Sequence, residues 1–66
     1  MTGTVERFGE CTMLRVGERL WGLTGTPVDG LREGAEVAVV GQVTTPDPTC
    51  GPEVTRGLVV QRATPV

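Results

Sequence analysis

No interval of this chain that is free of both glycine and proline exceeds seven residues. The two longest, Glu10–Val16 and Leu58–Thr64, would each give about two helical turns. The second is rich in valine, which favours strands. A glycine inside a helix costs about 1 kcal/mol and a proline about 3. The chain therefore has nowhere to place a helix of ordinary length, and the elements left to it are strands and turns. The expected fold class is all-β, with little or no helix.

The strands are legible from period-two alternation. The densest valine cluster lies in Leu31–Val43, which reads as a tight turn feeding a central strand over residues 35–43. Val37, Val39 and Val43 share one phase and are expected on one face. Gly41 falls in that same phase, where a side chain is missing. A glycine there marks a bulge, a bend or a close backbone approach. Residues 2–8 read as a first strand on which neither face is cleanly apolar. Cys11–Val16 is the second. Val16-Gly17-Glu18-Arg19 is the clearest hairpin signal, because Gly17 suits the first central position of a type II′ loop. That turn sets the register: Val16 opposite Arg19, Leu14 opposite Trp21 and Thr12 opposite Leu23, with Arg15 opposite Leu20 and Met13 opposite Gly22 on the other face. Leu14, Trp21 and Leu23 then form a core cluster, and the gap over Gly22 leaves room for a neighbouring element.

Residues 24–34 are a connection dense in turn residues, with a tight reversal at Asp29-Gly30. Pro46, Pro48 and Pro52 exclude a central strand from residues 44–56, which read as a loop. A last strand is expected over residues 57–63, with Leu58 and Val60 facing one way and Val59, Gln61 and Ala63 the other. The whole of residues 1–66 forms a single domain of a size that is marginal without a staple or a partner.

A pattern runs through these elements. A Gly-Thr-Val start is followed by Cys-x-x-Leu at Cys11–Leu14 and a hairpin. Then comes Leu-x-x-Gly-x-x-Val-x-Val-x-Gly-x-Val from Leu31 to Val43, a cysteine-bearing loop and a short valine-rich strand. Over nearly its whole length the chain resembles the short bacterial OB-fold-like domains of unknown function. The resemblance implies a five-stranded, partly open barrel and brings no catalytic residues with it. OB-folds often bind oligonucleotides or oligosaccharides on the face of strands two and three. This chain differs from such binders in having only two aromatics, Phe8 and Trp21, and no lysine.

Composition narrows the function classes. Six arginines stand against eight acidic residues, for a net charge of −2, and there is no histidine. An acidic balance argues against nucleic acid, whose binders usually carry a basic face. Met-Thr-Gly-Thr-Val-Glu-Arg has neither the basic lead nor the apolar core of a secretory leader, so a cytoplasmic location is the default expectation. No run approaches the ~20 apolar residues of a membrane span, so no membrane partner is expected.

Cys11 and Cys50 are the only thiols, 39 positions apart. A structural disulfide is the expected arrangement, with the Cα atoms within the ~4.4–6.8 Å range of such bridges. Two unpaired thiols, or half of a metal site shared by two chains, are the alternatives. A bridge would tie the proline-rich loop to the second strand. A cysteine nucleophile would lack an imidazole base. Glu6 and Glu10 flank a bend without a group that would make them an acid–base pair. No glycine-rich phosphate loop precedes a helix, and no cofactor is expected. Arg15, Arg19, Trp21, Arg56 and Arg62 form the candidate ligand face, with Trp21 as either a stacking platform or a core residue. The expected function is a small non-enzymatic binding or assembly module that contacts protein or its own copy. The alternative is an OB-type binder of single-stranded nucleic acid, and an enzyme is the third class.

Overall fold

The computed structural model of the chain describes residues 1–46 and 48–66. Five strands form it: β1 Thr2–Phe8, β2 Cys11–Val16, β3 Arg19–Thr24, β4 Glu36–Thr44 and β5 Val54–Pro65. Two short 3₁₀ turns, Thr26–Gly30 and Pro48–Cys50, are the only helical pieces among the described residues. The strands close into a barrel in the order β1-β2-β3-β5-β4. All neighbours are antiparallel except β3 and β5, which run parallel. The all-β five-stranded barrel is thus present. Where a partly open barrel was expected, Thr2–Thr4 also pair with Glu36–Ala38 and complete the ring.

The β2–β3 hairpin has the register that Gly17 dictates, from Val16 opposite Arg19 to Thr12 opposite Leu23. Gly17 has φ +62°, and Glu18 after it has no positive φ, as a type II′ loop requires. Inside the barrel, Val5 and Leu14 are fully buried together with Leu23, Val37, Val39, Leu58 and Val60. Trp21 is half-buried and packs against this core, so the Leu14–Trp21–Leu23 cluster forms as expected.

Gly41 marks a bulge and a close approach at once. The β4–β5 register shifts between Val40 and Gly41, leaving Gln61 as an extra residue on β5. A Cβ at Gly41 would lie 2.0 Å from the Val59 carbonyl oxygen. Two side-chain assignments change as a result. Ala63 pairs with Val39 and packs against the core rather than facing outward with Gln61, because the extra residue shifts the alternation. Val43 shares the phase of Val37 and Val39 yet is 67% exposed, because β4 beyond the pinch has run past the core.

Three further residues depart from expectation. β5 begins at Val54 rather than Gly57, so the end of the proline-rich segment is strand. Thr55 is bulged out between the Leu20–Val54 and Trp21–Arg56 pairs, which lets the strand start within the loop's own sequence. Val28, in the expected turn region, is buried against the core from the first 3₁₀ turn, where Pro27 favours the start of a helical turn.

The pinch at Gly41 gives a direct test. Gly41→Ala should destabilise the protein by about 1–3 kcal/mol, since backbone must move to admit the methyl group. Gly30→Ala, whose Cβ would meet nothing within 4 Å, should stay within about 0.5 kcal/mol. Urea unfolding of the two variants compares them; equal midpoints would show that the approach of Val59 is not a constraint.

Candidate functional site

Alternation along the first three strands sends one set of side chains into the barrel and the other set out. The outward set includes Glu6 and Phe8 on β1, Cys11, Met13 and Arg15 on β2, and Leu20 on β3, as the pairings Glu6–Met13, Phe8–Cys11 and Arg15–Leu20 require. An outer face of a small barrel is ordinarily solvated, yet here Met13 and Leu20 are buried. Val54 covers them, with Cys50 packed alongside. The gap over Gly22 is filled in the same way, for a Cβ there would lie 3.1 Å from Val54 Cγ1. A second, smaller apolar cluster therefore sits outside the barrel wall.

The connection from β4 to β5 reaches this face because it is tied to it. Cys11 and Cys50 stand at disulfide distance, with S–S 2.07 Å and Cα–Cα 5.7 Å. The expected pairing of the two cysteines, within the expected Cα range, is what the structure has.

A cleft of about 290 Å³ lies between the outer face and the bridged segment. Met13, Leu20 and Val54 give it an apolar floor. Phe8, 71% exposed, stands at its wall. The rim carries both signs of charge: Glu6, Arg7, Arg15 and Glu53. Arg15 donates from Nε to Glu6 Oε2 and from Nη2 to Glu6 Oε1 (3.4 Å). The hydrogen bond that Arg15 donates to Glu6 and the charge of that carboxylate, with Glu53 adding a smaller pull, hold the guanidinium pKa above its ordinary value. Arg7, on the same rim, donates from Nη2 to the Leu31 carbonyl (3.1 Å), which holds its guanidinium on the loop before β4.

The five residues of the expected ligand face fall in separate places. Arg15 pairs with Leu20 and Trp21 with Leu14, so the two lie on opposite faces of the hairpin. Arg15 belongs to the cleft. Arg19 sits at the hairpin end opposite Val16. Trp21 and Arg56 are brought together, the guanidinium 5.9 Å from the ring centroid, near the outer limit of a cation–π contact. Arg62 pairs with Val40 on β5 and β4. Strand pairing thus unites Trp21 with Arg56 and leaves the other three apart. The sequence reading did not single out Phe8, Leu20, Glu53 and Val54 as site residues. The one signal that pointed to them was the space over Gly22 opposite Met13. Among the described residues no three His, Cys, Asp or Glu side chains group as metal ligands would.

The bridge makes the cleft's outer wall conditional on oxidation. Reduction, or Cys50→Ser, should lower stability by about 4 kcal/mol on the chain-entropy account of a 39-residue closure. Thermal melts followed by circular dichroism with and without reductant check it, and unchanged midpoints would mean the bridge adds nothing to the fold.

Comparison of the chain with protein-family models, with curated proteins and with solved structures finds no match to any of them.

Proposed function

We propose that the chain is a non-enzymatic binding module that takes a segment of a partner protein in the cleft between its outer face and the bridged loop. The observation that carries this reading is the cleft's charge pattern over an apolar floor. Arg15 is the arginine placed to meet a ligand there, and its charge is held by Glu6 with Glu53 nearby. A polyanionic strand entering the cleft would meet carboxylates along with that arginine, on a protein of net charge −2. A polypeptide segment of mixed charge suits the same rim, with one apolar side chain seated over Met13 and Leu20 beside Phe8. The chain has no imidazole to serve as a base, and Glu6 is committed to Arg15, which supports binding over catalysis. A structural bridge persists in oxidising surroundings, so the reading carries the expectation that the module works there.

Selection of a random displayed peptide library on the oxidised protein tests this reading. Enriched peptides, remade synthetically, should shift the Met13, Leu20 and Val54 methyl resonances. Phe8→Ala should weaken their binding about tenfold, as loss of an aromatic anchor does, while leaving the melting temperature almost unchanged. Oligo-dT should leave those methyls in place at low salt. No enriched peptide, or methyl shifts with oligo-dT that fade steeply with salt, would replace this reading with the nucleic-acid one or remove both.

A further inference from the structure

β1 and β5 each outrun a neighbouring strand, and each is covered where it does so. Past its pairing with β4, β1 exchanges backbone bonds from Val5 with Gly34 and Ala35, and the Arg7 backbone N–H donates to Glu33 Oε2 (3.3 Å). Past its pairing with β3, β5 meets Gly25, where a Cβ would lie 2.8 Å from the Val60 carbonyl oxygen, and the first 3₁₀ turn packs on it. β4 also outruns a neighbour. Its pairing with β1 ends where Met1 exchanges backbone bonds with Val39, 2.6 Å to the Val39 N–H and 2.9 Å to its carbonyl. Beyond that point, among the described residues, no strand pairs with this side of β4.

Backbone groups alternate sides along a strand, as side chains do. Val39 turns its N–H and carbonyl to the β1 side, so Gly41 and Val43 turn theirs the same way, to an edge that β1 does not reach. The side chains along this edge are apolar and open: Val40 is 59% and Val43 67% exposed. A shallow groove of about 270 Å³, lined by Met1, Val39, Gly41, Val43 and Leu58, runs beside it. Proteins usually protect such an edge with a charge, a proline or a bulge that turns it away. Of these devices the charge is missing here: residues 37–46 hold no charged side chain, in a chain with fourteen of them, while Pro46 ends the strip and the bulge at Gly41 lies on the opposite, β5 side of the strand.

We infer that this edge pairs with the same edge of a second copy, antiparallel about Gln42, to make a two-fold dimer through β4. Gly41 of each chain exchanges N–H···O=C bonds with the partner's Val43. The neutral strip decides the occupant. Two copies of net charge −2 carry a net mutual repulsion, and residues 37–46 are a strip on which they meet without opposing like charges. The same strip offers no charge to select a different, oppositely charged partner. Because pairing about a two-fold axis uses up the free edge on both copies, assembly stops at the dimer. A contact of so few residues lies below the ~1,200 Å² of a standard interface, so the dimer is weak and exchanging. This surface is separate from the cleft and does not depend on what the cleft binds.

Sedimentation equilibrium from micromolar to millimolar protein, with hydrogen exchange at both ends of that range, tests the pairing. The expected result is a monomer–dimer equilibrium, with the Gly41 and Val43 amides gaining protection as concentration rises. Val43→Lys sets two cations against the two-fold axis at an exposed position and should weaken dimerisation at least about tenfold. Thr44→Lys gives a second variant at the same strip should the first lose its native melt. Phe8→Ala, in the cleft, should leave the dimer intact. A protein that stays monomeric at millimolar concentration overturns the inference. So does a dimer that Phe8→Ala abolishes and both lysine variants spare, or assembly that continues past the dimer.

Discussion

The covalent tie between Cys11 and Cys50 determines what the outside of this barrel is. Without it, the outer face of β1–β3 would be an ordinary solvated sheet surface, and Met13 and Leu20 would be out of place on it. With it, the connection from β4 to β5 is drawn down, Cys50 packs against them, and Val54, at the start of β5 beside Leu20, completes their cover. Burying an aliphatic side chain returns about 1.5–3 kcal/mol. Ordering loop backbone takes about 1–2 kcal/mol per residue. A cluster of three buried side chains therefore does not hold a loop of this length on apolar contact alone, and the bridge, which lowers the entropy of the unfolded chain, is the contribution that lets the loop dock. The cleft follows, because its floor is that cluster and its far wall is the bridged segment.

The interior depends on a different device. A barrel of five short strands must bend sharply to close, and bulges supply the bend. The extra residues Thr55 and Gln61 both lie on β5, the strand that joins β3 on one side to β4 on the other. Gly41 permits the backbone contact at the second bulge. The same bend sends the end of β4 past β1 and leaves an uncovered edge there. The inner core, the cleft and the free edge are thus three consequences of how one long strand and its preceding loop are accommodated.

Local features were legible in the sequence, and non-local ones largely were not. Gly17 fixes the hairpin register because a two-residue loop admits one pairing. Gly41 announces a bulge because an alternating apolar phase is interrupted by a residue without a side chain. The pairing of two cysteines is the favoured arrangement, over free thiols or a shared metal site, for the only two in a domain short of core. By contrast, Gln61 and Thr55 carry no mark of being bulged residues, so alternation alone puts Ala63 on the wrong face and Pro52 hides the start of β5. Val43 matched the core phase in sequence, and only the curvature of the barrel puts it outside. Val28 sits in a run of turn residues, and its burial depends on the barrel having an end to close. The candidate site was least legible, since Phe8, Met13, Leu20 and Val54 meet through the β1–β2–β3 sheet, the parallel β3–β5 pairing and the bridged loop that packs Cys50 against them. Arginine and tryptophan content suggested a single face that strand alternation divides.

The central claim is that the bridge sustains the outer cluster and the barrel sustains itself. Methyl nuclear Overhauser spectra recorded before and after gentle reduction separate the two most directly. The account predicts that cross-peaks within the Met13, Leu20 and Val54 cluster fade on reduction, while those among Leu14, Val39, Leu58 and Val60 persist. Survival of both sets, or their loss together in one transition, would contradict it.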